Sequence, residues 1–271
     1  MRIWHQGFIE MQTVPAYGEA LARHLARVAG AGVEVVVHGL RPGTYTPDAS
    51  PADLARHAYL TALHEQQVVE AARRAEREGY DAVAIAIIQD IGVALARSVV
   101  DIPVAGYGES AMHLACLLGE RFGVVAFNPD IFHPIRAAAH RSGLEGRIAA
   151  MVPMTVDYRD VVDAFERPGP LVDAFLAAAR EAVRQGAEVI LPGQTIMAEV
   201  LFQNGVCRVD EAPVVDPVAA VIKTARTLAE MRAESGVSVT RRGFAFSRPP
   251  ERLVEAARRA YGLDRAPLFE D

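Results

Sequence analysis

This chain is short of the residues on which several common chemistries depend. Its 271 residues include a single lysine and two cysteines. Lys223 lies in an amphipathic run from Val218 to Met231, so Schiff-base chemistry would have to draw on a solvated helix face. Cys116 and Cys207 give no disulfide framework, and neither has Cys-x-x-Cys or Cys/His ligand spacing. No apolar run approaches the length that spans a bilayer, and Met1–His5 shows no signal-peptide pattern. We therefore expect a cytoplasmic protein with no membrane partner. The net charge is −6 and no basic stripe stands out, which argues against a nucleic-acid partner. No G-x-G-x-x-G or Walker-type loop follows a strand-like run. Gly106-Tyr107-Gly108-Glu109-Ser110 comes nearest but lacks the third glycine.

What is present is regular alternation. Strand-like runs at Arg2–His5, Val33–His38, Ala82–Ile88, Val104–Gly106, Gly123–Phe127, Ile148–Val152, Val189–Leu191 and Val214–Val215 are separated by amphipathic helical patterns. Among these, Ala52–Glu78 reads as one long helix, and Ser235–Arg242 as polar and β-like. Alternation of this kind predicts parallel sheets flanked by helices, an α/β fold.

Two stretches repeat one design. Asp81–Gly92 and Gly186–Met197 are each an apolar run that stops at a polar residue and turns into a helix. In an open α/β sheet, ligands bind beyond the carboxyl ends of strands, so two such ends suggest two similar halves facing one pocket.

With Pro103–His113, Leu118–Val125 and Val215–Ala220, these stretches make residues 1 to 233 resemble the aspartate/glutamate/hydantoin racemase superfamily, nearest its hydantoin and allantoin racemase branch. The resemblance implies two pseudo-symmetric lobes, 1–103 plus 214–234 and 104–213, with the active site in the cleft between them. It also implies a thiol at the end of the key strand of each lobe, the pair acting as opposed acid and base. Those positions hold Ile87 and Gln194 here. Isoleucine carries no proton, and a glutamine amide is neither acid nor base near neutral pH. Residues 235–271 form an extension that is expected to pack on a neighbouring subunit of a homo-oligomer or to cover the pocket mouth.

The expected substrate-binding residues are Gln6, Ile87, Gln89, Asn128, His133, Gln194 and Thr195. Their amides donate and accept, which suits a small ligand rich in C=O and N–H groups. His5, Glu10 and Glu109 are the acid–base candidates. Asp90 and Glu109 also read as helix-start caps, and His113 as a core histidine. His5, Glu10, Glu109 and His133 are metal-ligand types without ligand spacing, so no cofactor is expected and a divalent metal is the lesser alternative. Two functions fit. One is a thiol-independent enzyme acting on a small amide, imide or carboxylate compound, by isomerisation or C–N hydrolysis through His5 and Glu10. The other is a small-molecule binding protein that kept the cleft and lost the chemistry.

Overall fold

A computed structural model describes residues 1–46 and 49–263. The first lobe runs β1 (Arg2–Gln6), α1 (Pro15–Ala29), β2 (Glu34–His38), α2 (Pro51–Leu54), α3 (Ala58–Arg77), β3 (Ala82–Ile85), α4 (Val93–Val99) and β4 (Val104–Gly106). After α5 (Tyr107–Leu118), the second lobe follows with β5 (Phe122–Ala126), α6 (Phe132–Arg141), β6 (Ile148–Pro153), α7 (Tyr158–Asp163), α8 (Gly169–Arg184), β7 (Val189–Pro192) and α9 (Thr195–Gln203). A small hairpin, β8 (Arg208–Val209) and β9 (Ala212–Pro213), leads to α10 (Pro217–Ser235), and α11 (Glu251–Ala260) lies in the extension.

Both sheets are parallel and share one local order. The first is β2-β1-β3-β4 and the second β6-β5-β7, where Val214 adds a parallel bridge to Ile190 at the place β4 takes in the first. The buried strands are continuously apolar, as expected where helices cover both faces. The helix α5 leaves the first sheet and packs on α6 and β7, while α10 returns from the second sheet onto α1, β3 and β4. The lobes are thus stitched by two crossovers. Val104–Gly106 pairs with β3, so the first crossover follows Gly106, and Val214 belongs with the second sheet. Both expected lobe boundaries move by a few residues.

Three local expectations change. The run Ala82–Ile88 is strand only to Ile85; Ala86 N–H still bonds to the Gln6 carbonyl, and then the chain turns at Asp90, whose φ is +54°. The helix expected over 52–78 is broken at Ala55–His57: Ser50 and Asp53 cap the start of a single turn, His57 is extended, and a new helix starts at Ala58. Residues 235–242 form no strand. The extension lies on its own chain, with Arg241 and Arg248 pairing with Asp101, Arg248 with Glu76, and Arg258 with Glu70. None of its described residues lines the spaces considered next, and the Leu268–Asp271 tail lies outside the described residues.

Candidate ligand-binding site

Four strand ends from the two sheets converge on a chamber of about 100 Å³. Phe8 and Ile9 follow β1, Ala86–Gln89 follow β3, Phe127 and Asn128 follow β5, and Gly193–Ile196 follow β7. Pro51, Ala52 and Ala55 roof it from the α2 segment. An outer vestibule of about 830 Å³ shares Pro51, Ala52, Phe127, Asn128 and Tyr158 with the chamber, so these five form the wall between the two spaces. Two contacts hold the roof to the second lobe: Asn128 Nδ2 donates to the Ala52 carbonyl at 3.1 Å, and Arg56 pairs with Asp130 at 2.8 Å.

The chamber walls are mostly aliphatic and aromatic. Among the described residues, none that lines it is Cys, His, Asp, Glu, Lys or Arg. Its titratable groups are the phenols of Tyr17 and Tyr158; burial raises both, Tyr158 to about 12, so both stay protonated at neutral pH. Gln194 Oε1 accepts from the Phe127 N–H at 3.3 Å, and Thr195 Oγ1 donates across the lobes to the Ala86 carbonyl at 3.2 Å. Among the described residues, Gln194 Nε2 and the Tyr158 hydroxyl are buried without a partner. Buried polar atoms are seldom left unpaired. Both donors belong to residues that line the chamber, and both lack an acceptor among the described residues.

The loop after β3 is set by Asp90. Its Oδ1 accepts from Gly108 N–H at 2.8 Å and its Oδ2 from Glu109 N–H at 2.7 Å, which fastens the chamber-lining loop to the start of α5. Burial and the neighbouring Glu109 charge push Asp90 up to about 8, against the pull of those two bonds. Gly108 must be glycine, because a Cβ there would overlap the Ile88 carbonyl oxygen.

A sequence model of the family described as Asp/Glu/Hydantoin racemase matches residues 7–225. The chain belongs to that family. It is 32% identical over 188 residues to a hydantoin racemase of Pseudomonas sp. (strain NS671), covering 69% of this chain and 73% of the relative. To the hydantoin racemase of Paenarthrobacter aurescens it is 28% identical over 229 residues, 83% of this chain and 92% of that one. The allantoin racemase of Klebsiella pneumoniae shares the fold, with a TM-score of 0.75 at 24% identity over 92% of this chain and 94% of that one.

Within this racemase-family chamber lie five of the expected binding residues: Ile87, Gln89, Asn128, Gln194 and Thr195. The others are elsewhere. Gln6 accepts from Trp4 Nε1 at 3.0 Å and donates to the carbonyls of Gly7 and Gly39, so its amide is spent on the chain turns. His133 is exposed on α6, where Ile135 takes the inward face. His5 does not reach the chamber. It sits in the central strand between Val37 and Ala84, fully buried, with no partner for either ring nitrogen among the described residues. Burial, with His38 nearby, lowers it to about 4 and keeps it neutral. Glu10 borders the vestibule, but its oxygens accept from Tyr45 N–H at 2.7 Å, Gly43 N–H at 3.2 Å and Gln12 Nε2 at 3.1 Å. It is a loop clamp. Glu109 pairs with Arg97 and caps the N–H of Gly106 at 3.1 Å, a structural place at the head of α5. His113, read as a core histidine, is exposed. Among the described residues, no three His, Cys, Asp or Glu side chains gather as a metal site.

Sequence reasoning missed Phe8, Ile9, Tyr17, the Pro51–Ala55 roof and Tyr158. Tyr17 had a signal, since it opens the apolar stripe of an amphipathic helix directly after the β1 loop. Tyr158 and the roof had none, because only the meeting of the lobes makes them neighbours of the chamber.

Proposed function

We propose that this racemase-family chain captures a small, neutral cyclic amide, imide or ureide in its chamber, and that it does not racemise it by a pair of opposed thiols. One observation carries this reading: Gln194 and Tyr158 line the chamber, their Nε2 and hydroxyl lack partners among the described residues, and the walls around them are apolar and bear no group able to take a proton at neutral pH. An anion would be desolvated there without a counter-charge, whereas a neutral ring carbonyl would satisfy both donors. Cys116 on α5 and exposed Cys207 stand outside the chamber. The relatives named hydantoin racemase make a hydantoin ring the first ligand to try. The apolar walls favour 5-alkyl hydantoins over allantoin, whose ureido substituent would leave polar atoms unpaired.

A second reading, proton transfer or C–N hydrolysis on the same ligands, is favoured by those relatives. It would have to recruit a base from outside the chamber wall, since neutral phenols donate protons and do not abstract them. Calorimetric titration of 5-alkyl hydantoins, succinimide and allantoin tests the reading of the chamber. Binding of the 5-alkyl hydantoins, weakened about tenfold in Gln194→Ala and in Tyr158→Phe through the loss of one hydrogen bond each, is expected. No binding of any of them, or binding indifferent to both substitutions, would refute it.

A further inference from the structure

Among α1, α9 and the head of α10 lies a buried charged cluster that the preceding chemistry does not use. His24 of α1 is held at both ring nitrogens: Nδ1 is 2.7 Å from Glu199 Oε1 and Nε2 is 2.8 Å from Asp216 Oδ2. Glu199 lies on α9 and is wholly buried, with no partner for its Oε2 among the described residues. Asp216 caps α10, its Oδ1 accepting from the Ala219 N–H at 2.9 Å. One imidazole thus joins α1 of the first lobe, α9 of the second, and the crossover segment that returns from the second lobe to the first.

The arrangement reaches the chamber through α9. That helix has only 9 residues, and Glu199 stands one turn beyond Thr195. Its first residues, with Gln194 as cap, form the chamber wall. We propose that His24, in its protonated form, is the pin that fixes α9 and so holds Gln194 and Thr195 in the chamber wall. The proposal rests on the chamber as the working site, but its test needs no ligand.

The electrostatics fit the geometry. Burial alone would lower His24, yet its hydrogen bonds to Asp216 and Glu199, with their charges, raise it to about 9. At neutral pH the imidazolium therefore donates to both carboxylates. When it loses its proton, one ring nitrogen becomes an acceptor facing a carboxylate, and buried Glu199 is left without its counter-charge. The charged groups facing His24 are Glu199 from α9 and Asp216 from the head of α10; Tyr17 on its own helix and Tyr107 on α5 stand within the field of Glu199.

Methyl NMR of isoleucine-labelled protein tests this from pH 7 to 10, with Ile196 in the first turn of α9 as reporter and Ile102, in the outer core of the first lobe, as control. The Ile196 methyl is expected to move with a midpoint near 9 while Ile102 stays in place, and the movement to vanish in His24→Gln. Asp216→Asn keeps a good helix cap and removes one charge, so it should shift the midpoint downward by about one unit even if His24→Gln fails to fold. An Ile196 methyl that does not titrate, or one whose midpoint neither substitution changes, would overturn the proposal. A globally looser fold would move both methyls together and would count against it as well.

Discussion

Asp90→Asn isolates what a single carboxylate contributes at the chamber's edge. The amide keeps one acceptor for the N–H groups of Gly108 and Glu109 but turns an NH2 toward the other. Above about pH 8, where Asp90 is ionised and accepts at both oxygens, the expected loss is about 1–3 kcal/mol of unfolding free energy, read by urea denaturation, with the loop from Ala86 to Gly92 loosened. No change in stability would show that the carboxylate does not hold the loop. Some of this was legible. Asp90 reads as a helix-start cap in the sequence, although the helix it caps is α5 rather than the α4 that follows it. Gln6 was not legible as a structural residue, since its role depends on the Trp4 indole two residues away on the same strand face. Glu10 was not legible either, because its partners, Gly43 and Tyr45, lie on a loop far along the chain.

Among the elements, the short α2 segment is fastened to the opposite lobe by two polar contacts, Ala52 to Asn128 and Arg56 to Asp130. The ion pair is half exposed at both ends, so Arg56→Ala should cost less than about 1 kcal/mol in global stability. Hydrogen exchange should nevertheless quicken across residues 51–57 and leave α3 unchanged beyond its first turn. Equal exchange in mutant and parent would mean that the Arg56–Asp130 pair does not hold the roof. The sequence reads this region as one helix because alanine and leucine recur at helical spacing on both sides of the break. The reciprocal cap of Ser50 and Asp53 starts a separate turn at Pro51, a local signal that the longer periodicity outweighs. Glu199 did leave a mark in the sequence, as a single carboxylate inside the apolar run from Ile196 to Leu201.

Across the whole molecule, buried histidines set opposite limits on stability. His5 and His38 are lowered to about 4, mainly by burial, so their contribution is complete above about pH 6.5 and is lost as the pH falls through 4. His24 is raised to about 9, so its contribution is complete below about pH 6.5 and is lost as the pH rises through 9. Asp90, raised to about 8, has a contribution that is lost between about pH 4 and 8, so it lessens the rise from His5 and His38 on the acid side and adds to the loss from His24 between about 6.5 and 8. Urea midpoints should therefore peak near pH 6.5 and fall on both sides. The acid limb should flatten in a His5→Leu variant that still folds, and a profile that rises steadily from pH 6.5 to 9 would contradict these assignments. The two-lobed α/β plan was legible because it is written in strand-to-helix alternation, which each segment declares locally. The working surface was less so, because it exists only where the ends of two sheets meet and because alternating residues of one strand go to opposite faces.

We propose, as the reading to be tested first, that the chamber receives a neutral cyclic amide and, with no base in its wall, moves no proton on it. The most direct test incubates the protein with single enantiomers of 5-alkyl hydantoins in deuterated water and follows the C5 proton by NMR, alongside saturation transfer from protein to ligand. A 5-aryl hydantoin, whose C5 proton exchanges unaided, serves as the control for background exchange. The account predicts saturation transfer whose titration midpoint rises about tenfold in Gln194→Ala, with no deuterium at C5 of the alkyl ligands above that of a protein-free sample. Deuterium entering C5 at a rate proportional to protein concentration, or ring-opened product accumulating with it, would contradict it.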